Sequence, residues 1–197
     1  MENIGIFIDY SNVHLVGHSL FAADLDRWST HISSQLLARR IIELRRSGSE
    51  LSRISLYRGS PDRFRDPEAT KRFREQKERW GADPLFRGTY LPMIYGPNRS
   101  QPKEAGVDVR LGLDFVKAAE SEEFDVVILC SGDSDLFPAV QDAVKTTTRV
   151  ELAAWSTGSS TPGNLVSHQS IKSFQLWTHM LSEDTFWDCQ DDRSAAA

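Results

Sequence analysis

Short, continuous apolar runs alternate along this chain with segments whose apolar residues recur every three or four positions. Ile4-Gly-Ile-Phe-Ile8 is such a run, ending at Asp9, and predicts a strand covered on both faces. A polar loop is expected next. Ile32, Leu36, Leu37, Ile41 and Leu44 then fall at helical spacing, with arginines largely opposite and Gly48 as the stop. Leu51–Tyr57 predicts a second strand, broken by Gly59-Ser60-Pro61. A charged helix is expected over 67–80, with Pro67 near its start and Gly81 after its end. Leu85–Tyr95 contains a third strand, Gly96–Pro102 is a loop, and a helix runs from about Val107 to Glu120. Phe124–Cys130 is the second clean buried strand, Leu136–Lys145 a helix and Arg149–Trp155 a strand. A loop over Ser156–Gly163, a short helix and a last strand near Phe174–Trp177 complete the pattern.

Strands alternating with helices predict an α/β fold: a central, mainly parallel sheet with helices on both faces. In such sheets ligands bind beyond the carboxyl ends of the strands, where strand order reverses. At 197 residues, 40% hydrophobic and 26% charged, the chain suits a single globular domain. Residues 180–197 carry five acids against one base and read as a flexible acidic tail, which leaves 1–179 as the domain. No apolar run is long enough to span a membrane, and the first residues lack the pattern of a secretory signal. Cys130 and Cys189 are too few for a disulfide framework or a zinc site, so a reducing, cytoplasmic setting is expected. The net charge of −5 argues against bulk electrostatic coating of nucleic acid. Residues 58–79, with eight Lys or Arg against five acids, still allow a local basic face.

Both buried strands end in acid: one at Asp9-Tyr-Ser-Asn12, the other at Ser131-Gly-Asp133-Ser-Asp135. Neighbouring parallel strands would bring Asp9, Asp133 and Asp135 into one small volume. Two unit charges about 4 Å apart repel by about 4 kcal/mol at an effective dielectric of 20, so such a set stays partly protonated or holds a cation. Oxygen ligands without His or Cys suit Mg2+ or Mn2+. Taken singly, each acid is as well explained as a helix cap or an Asx-turn, Asp135 above all. Asp108 opens a predicted helix, where dipole compensation is the simplest role. Asp114 shares an apolar stripe with Val107, Leu111 and Ala118, which calls for a hydrogen-bonding partner there. The five histidines show no metal-ligand pairing.

Phe-Ile-Asp9-Tyr-Ser-Asn12, Lys103-Glu-Ala-Gly-Val-Asp108-Val and Leu-Cys-Ser-Gly-Asp133-Ser-Asp135-Leu-Phe-Pro138 together resemble the NYN domain family, PIN-like proteins that include the bacterial LabA-like group. Order and spacing of all three motifs agree, over roughly residues 1–177. The resemblance implies a three-layer α/β/α PIN-like sandwich and a ribonuclease using Mg2+ or Mn2+. It implies that Asp9, Asp108, Asp133 and Asp135 hold the metal, that Asn12 orders the site, and that Lys103 meets a phosphate. Tyr10 stands where members often carry Gly or Asn, and Val166–Ser170 lacks an acid that members often have there.

The expected chemistry is phosphodiester hydrolysis of RNA, with single-stranded RNA as the expected partner. Arg58 and Lys103 are the candidate phosphate contacts, and Tyr10, Tyr90 and Tyr95 the candidate stacking rings. A homodimer is compatible with this reading. A Toprim-like nuclease leaves Gly-Val-Asp108 unexplained, and no Gly-rich turn follows the first strand as a dinucleotide site requires. The rival of a different class is an RNA- or nucleotide-binding regulatory module that keeps the acids without turnover.

Overall fold

A computed structural model of the chain describes residues 1–45, 48–96, 102–158 and 174–191. Six parallel strands lie in the order β3-β2-β1-β4-β5-β6: β1 Glu2–Asp9, β2 Ser49–Ser60, β3 Phe86–Pro92, β4 Val126–Cys130, β5 Arg149–Trp155 and β6 Thr178–Leu181. The described helices are α1 Tyr10–Phe21, α2 Ser34–Glu43, α3 Pro67–Gly81, α4 Val107–Glu120, α5 Phe137–Ala143 and α6 Glu183–Asp188. This is the expected α/β sandwich of PIN-like type.

Strand period explains the layers. On β1, Ile4, Ile6 and Ile8 face a core shared with Leu37 and Ile41 of α2, Trp80 of α3 and Phe186 of α6. Phe7, on the opposite face, packs with Leu111 and Phe115 of α4 and Val140 of α5. Phe7 and Phe115 meet edge to face at 5.4 Å. The chain builds outward from β1 to β3, then returns through α4 to β4 on the other side of β1. Strand order therefore reverses between β1 and β4, whose paired ends are Ile8 and Cys130.

The structure corrects several sequence expectations. The polar stretch after β1 is a helix, α1, not a loop. Its buried face is Tyr10, Val13, His14 and Gly17, at helical spacing but without an apolar stripe. Leu36 on α2 and Leu44 just after it are exposed although they share the helical spacing of the core residues. β2 runs on through Gly59 and Ser60, because β3 pairs with it as far as Pro92. The last strand starts at Thr178, after the 174–177 expected for it.

The acidic end is not a free tail up to Asp191. Residues 180 and 181 belong to β6, and α6 buries Phe186 completely. Asp191 ion-pairs with Arg79 at 2.7 Å and accepts from Gln76 Nε2 at 3.1 Å. These partners hold the acidic segment against α3. The loop and short helix expected between 156 and 170 fall mostly outside the described residues, as do residues 192–197.

Candidate metal centre

Asp9 is the last residue of β1 and the cap of α1. Its Oδ1 accepts from the Asn12 amide at 3.2 Å, and its Oδ2 from the Ser131 hydroxyl at 2.8 Å. The second bond exists because β1 and β4 are paired, so residues after Ile8 and Cys130 leave the sheet together. Ser131 Oγ also accepts from the Asp133 amide at 3.1 Å. Asn12 Oδ1 accepts from the Gly132 amide at 2.9 Å and fixes the same loop from α1. Asp133 caps a 3-10 turn at Ser134–Leu136 by accepting from the Asp135 amide at 2.9 Å.

Asp108 arrives from the other direction. Gly106, at φ +75° in the left-handed region, turns the chain into α4 and places Asp108 in its first turn. Carboxylate oxygens of Asp9, Asp108 and Asp133 then lie within 4.8 Å of one another.

The protonation behaviour is that of crowded acids. Burial, with the charges of Asp108 and Glu104 behind it, pushes the Asp9 carboxyl up to about 7 against the bonds from Ser131 and Asn12. The Asp108 carboxyl is raised by burial and then by the charges of Asp133, Glu104 and Asp135. Three converging carboxylates without a His or Cys form a hard, all-oxygen donor set, which fits a divalent cation such as Mg2+ or Mn2+.

Asp135 is exposed and acts on Asp108 through its charge, but it lies outside the converging set. The helix cap expected of it is not made: α5 starts at Phe137 without a side-chain cap, and Asp133 caps the 3-10 turn before it. Lys103 is exposed, and its backbone pairs with Ile94 in an antiparallel bridge. That bridge places the next residue, Glu104, which sequence reasoning assigned no role. Glu104 Oε1 accepts from the Ser11 hydroxyl at 2.6 Å and the Gly59 amide at 2.5 Å. Nothing periodic marks Glu104; its only signal is its place in the Lys103–Asp108 motif.

Arg58 lies over the Tyr10 ring, 4.5 Å from its centre, and donates to Gln76 Oε1 at 2.5 Å. Tyr10 is buried, bonded to His31 Nδ1 at 2.8 Å, and Tyr90 packs on Phe73. Asp114 accepts from the Tyr57 hydroxyl at 3.1 Å and from Arg110 at 2.7 Å, a structural role. His14 and His31 gather beside Tyr10, their rings 4.4 Å apart, and His18 lies next to His14.

Residues 3–173 match the family model of the NYN domain. The chain belongs to the NYN domain family. A crystal structure of a protein of unknown function from Vibrio parahaemolyticus resembles this NYN chain in fold, with a TM-score of 0.56 and 16% identity over 92% of each chain. No curated protein matches it. The NYN family is ribonuclease-like in general and its nucleases use divalent metals, and this NYN chain has an acidic cluster able to hold one. No described helix is long and apolar enough to cross a membrane.

Proposed function

We propose that this chain is a Mg2+- or Mn2+-dependent ribonuclease that hydrolyses RNA phosphodiester bonds. The convergence of Asp9, Asp108 and Asp133 at the switch point of an NYN fold carries this reading. A divalent cation bound there supplies activation of water and neutralises charge developing on the phosphoryl group.

The chain's own residues set up that site. Asp9, Asp108 and Asp133 are the ligands, and their mutual repulsion makes a cation the favourable partner. Ser131 and Asn12 hold the β4 exit loop against Asp9, so that the carboxylates are fixed before anything binds. Asp135 adds negative charge at the rim. Arg58 and Lys103 are the candidate contacts to phosphates flanking the scissile bond.

Cleavage of a mixed-sequence RNA by wild type and Asp133→Asn, with Mg2+ and with Mn2+, tests the proposal. An Asn at 133 still offers an oxygen to cap the 3-10 turn, so the fold is retained while cleavage drops by at least about 100-fold, the scale of losing a group that stabilises the transition state. A wild-type protein that binds RNA with either ion and never cleaves it would instead be a non-catalytic binding module.

A further inference from the structure

Beside the acidic cluster lies a second feature, an open cavity of about 390 Å³ between α1, α3, the end of β2 and the turn at Arg27–Ser29. That volume is in the range of small-ligand pockets and too large for a lone phosphate. The cavity and the metal centre share a wall. Ser11, Gly59 and Glu104 line the cavity, and Glu104 is the carboxylate that both bonds to the other two and acts on Asp9 and Asp108.

Three arginines give the cavity its character. Arg58 rests on Tyr10 and lies 5.3 Å from the Phe73 ring; Arg72 and Arg27 lie 4.7 and 4.9 Å from the ring of Trp28. None of the three forms an ion pair among the described residues, whereas Arg79 at the same cavity is paired with Asp191. The Nε atoms of Arg58 and Arg72 are buried without a hydrogen-bond partner among the described residues. Two of the neighbouring acids are committed elsewhere: Asp66 caps α3, and Glu104 bonds Ser11 and Gly59. Aromatic rings thus hold three guanidinium groups in place without neutralising them. Such planes bind phosphate through paired N–H donors and stack on nucleobases.

We infer that this cavity is a nucleotide subsite: it takes the unpaired base and phosphate of a single-stranded RNA nucleotide next to the scissile bond, with Arg27, Arg58 and Arg72 as its anion contacts. The inference rests on the nuclease reading for the direction of the strand towards the acidic cluster. A base still paired in a duplex cannot enter a cavity of this kind. The chain's overall charge of −5 makes this local group of cations the place where affinity arises.

Binding in EDTA separates the cavity from the metal centre. Fluorescence anisotropy with a labelled, unstructured RNA octamer and with the same RNA as a duplex, plus calorimetry with free AMP and UMP, would be run on the full chain. Arg72→Ala should weaken octamer binding about tenfold and flatten its dependence on salt by about one phosphate contact. Arg27→Ala, at an exposed position where folding is not at risk, should weaken it severalfold. Arg40→Ala, remote from the cavity, should bind as wild type does, and the duplex should bind at least tenfold more weakly. Binding by both cavity variants within twofold of wild type overturns the inference, as does equal affinity for duplex. Free AMP or UMP that binds with full affinity and is not displaced by octamer also overturns it, since the cavity is then a site for free nucleotides. The two readings fail separately: metal-dependent cleavage unaffected by the arginine variants removes the subsite alone, while arginine-dependent binding without cleavage removes the nuclease alone.

Discussion

Both oxygens of Asp9 are already hydrogen-bonded within the protein, while among the described residues Asp108 receives no such bond and meets the charges of Asp133, Glu104 and Asp135. Burial makes the Asp9 charge the costlier one, but at Asp108 no such bond offsets the repulsion, so removing its charge relieves the metal-free protein. In EDTA at pH 8, Asp108→Asn should melt higher than wild type by about 2–4 °C, the shift that about 1 kcal/mol gives in a chain of this size. Adding Mn2+ should raise the wild-type midpoint and leave the variant behind, because the cation stabilises only the state that binds it. A variant that melts lower in EDTA would mean that the three carboxylates do not repel one another. The three converging carboxylates were legible in the sequence because each sits at a marked place, after an apolar strand or in the first turn of a periodic helix. Glu104 and the arginines of the cavity were not. Their placement depends on an antiparallel bridge at Lys103 and on rings from α1, α3 and the turn at Trp28, contacts between segments far apart in sequence.

Elements with a clean period were read correctly: α4 and β5 begin and end where the pattern puts them. Helix α1 was hidden because polar and small residues fill its buried face. Gly17 is the reason a helix fits there. A Cβ at this position would lie 2.9 Å from the Phe186 ring and 3.0 Å from Trp155 Nε1, and that nitrogen is bonded to the Val13 carbonyl. Two effects compete in Gly17→Ala. Helix propensity favours alanine by about 1 kcal/mol, while overpacking against rigid buried rings costs about 1–3 kcal/mol. Phe186 and Trp155 are fully packed and meet each other edge to face at 5.8 Å, so neither ring can yield easily. Gly17→Ala should lower stability by about 1 kcal/mol in a denaturant titration; a gain would show that α6 yields. The same contact explains why the acidic end is not a tail. Its charge count is genuine, but Leu181, Phe186 and Cys189 are buried, and these apolar anchors decide where the segment goes.

The two ends of the sheet treat charge differently. At the amino end, Glu151 is buried on β5 among Arg45, Arg149 and His179, and Arg45 and Arg149 also pair with Glu2. Burial alone would raise the Glu151 carboxyl, but bonds from His179 and Arg45 outweigh it and hold it below its usual value. That network contributes stability above the ordinary carboxylate pKa and loses it only in stronger acid. At the carboxyl end Asp9 and His14 titrate in opposite senses. Asp9, at about 7 in the folded chain, takes a proton in the native state that the unfolded chain refuses, so its charge destabilises the fold as pH rises through 7. Burial lowers His14 to about 4, against the bond to the Arg27 carbonyl, so the unfolded chain takes the proton first and stability falls as pH drops below 6.5. Each effect amounts to about 1–2 kcal/mol between pH 6.5 and 5, with opposite sign. In EDTA the wild-type midpoint should therefore be nearly flat across that interval. Asp9→Asn should leave the histidine effect uncovered and melt several degrees lower at pH 5 than at pH 6.5. His14→Gln should do the reverse and melt higher at pH 5. Parallel profiles for the two variants would show that Asp9 and His14 are not the groups that set the acid response of the whole molecule.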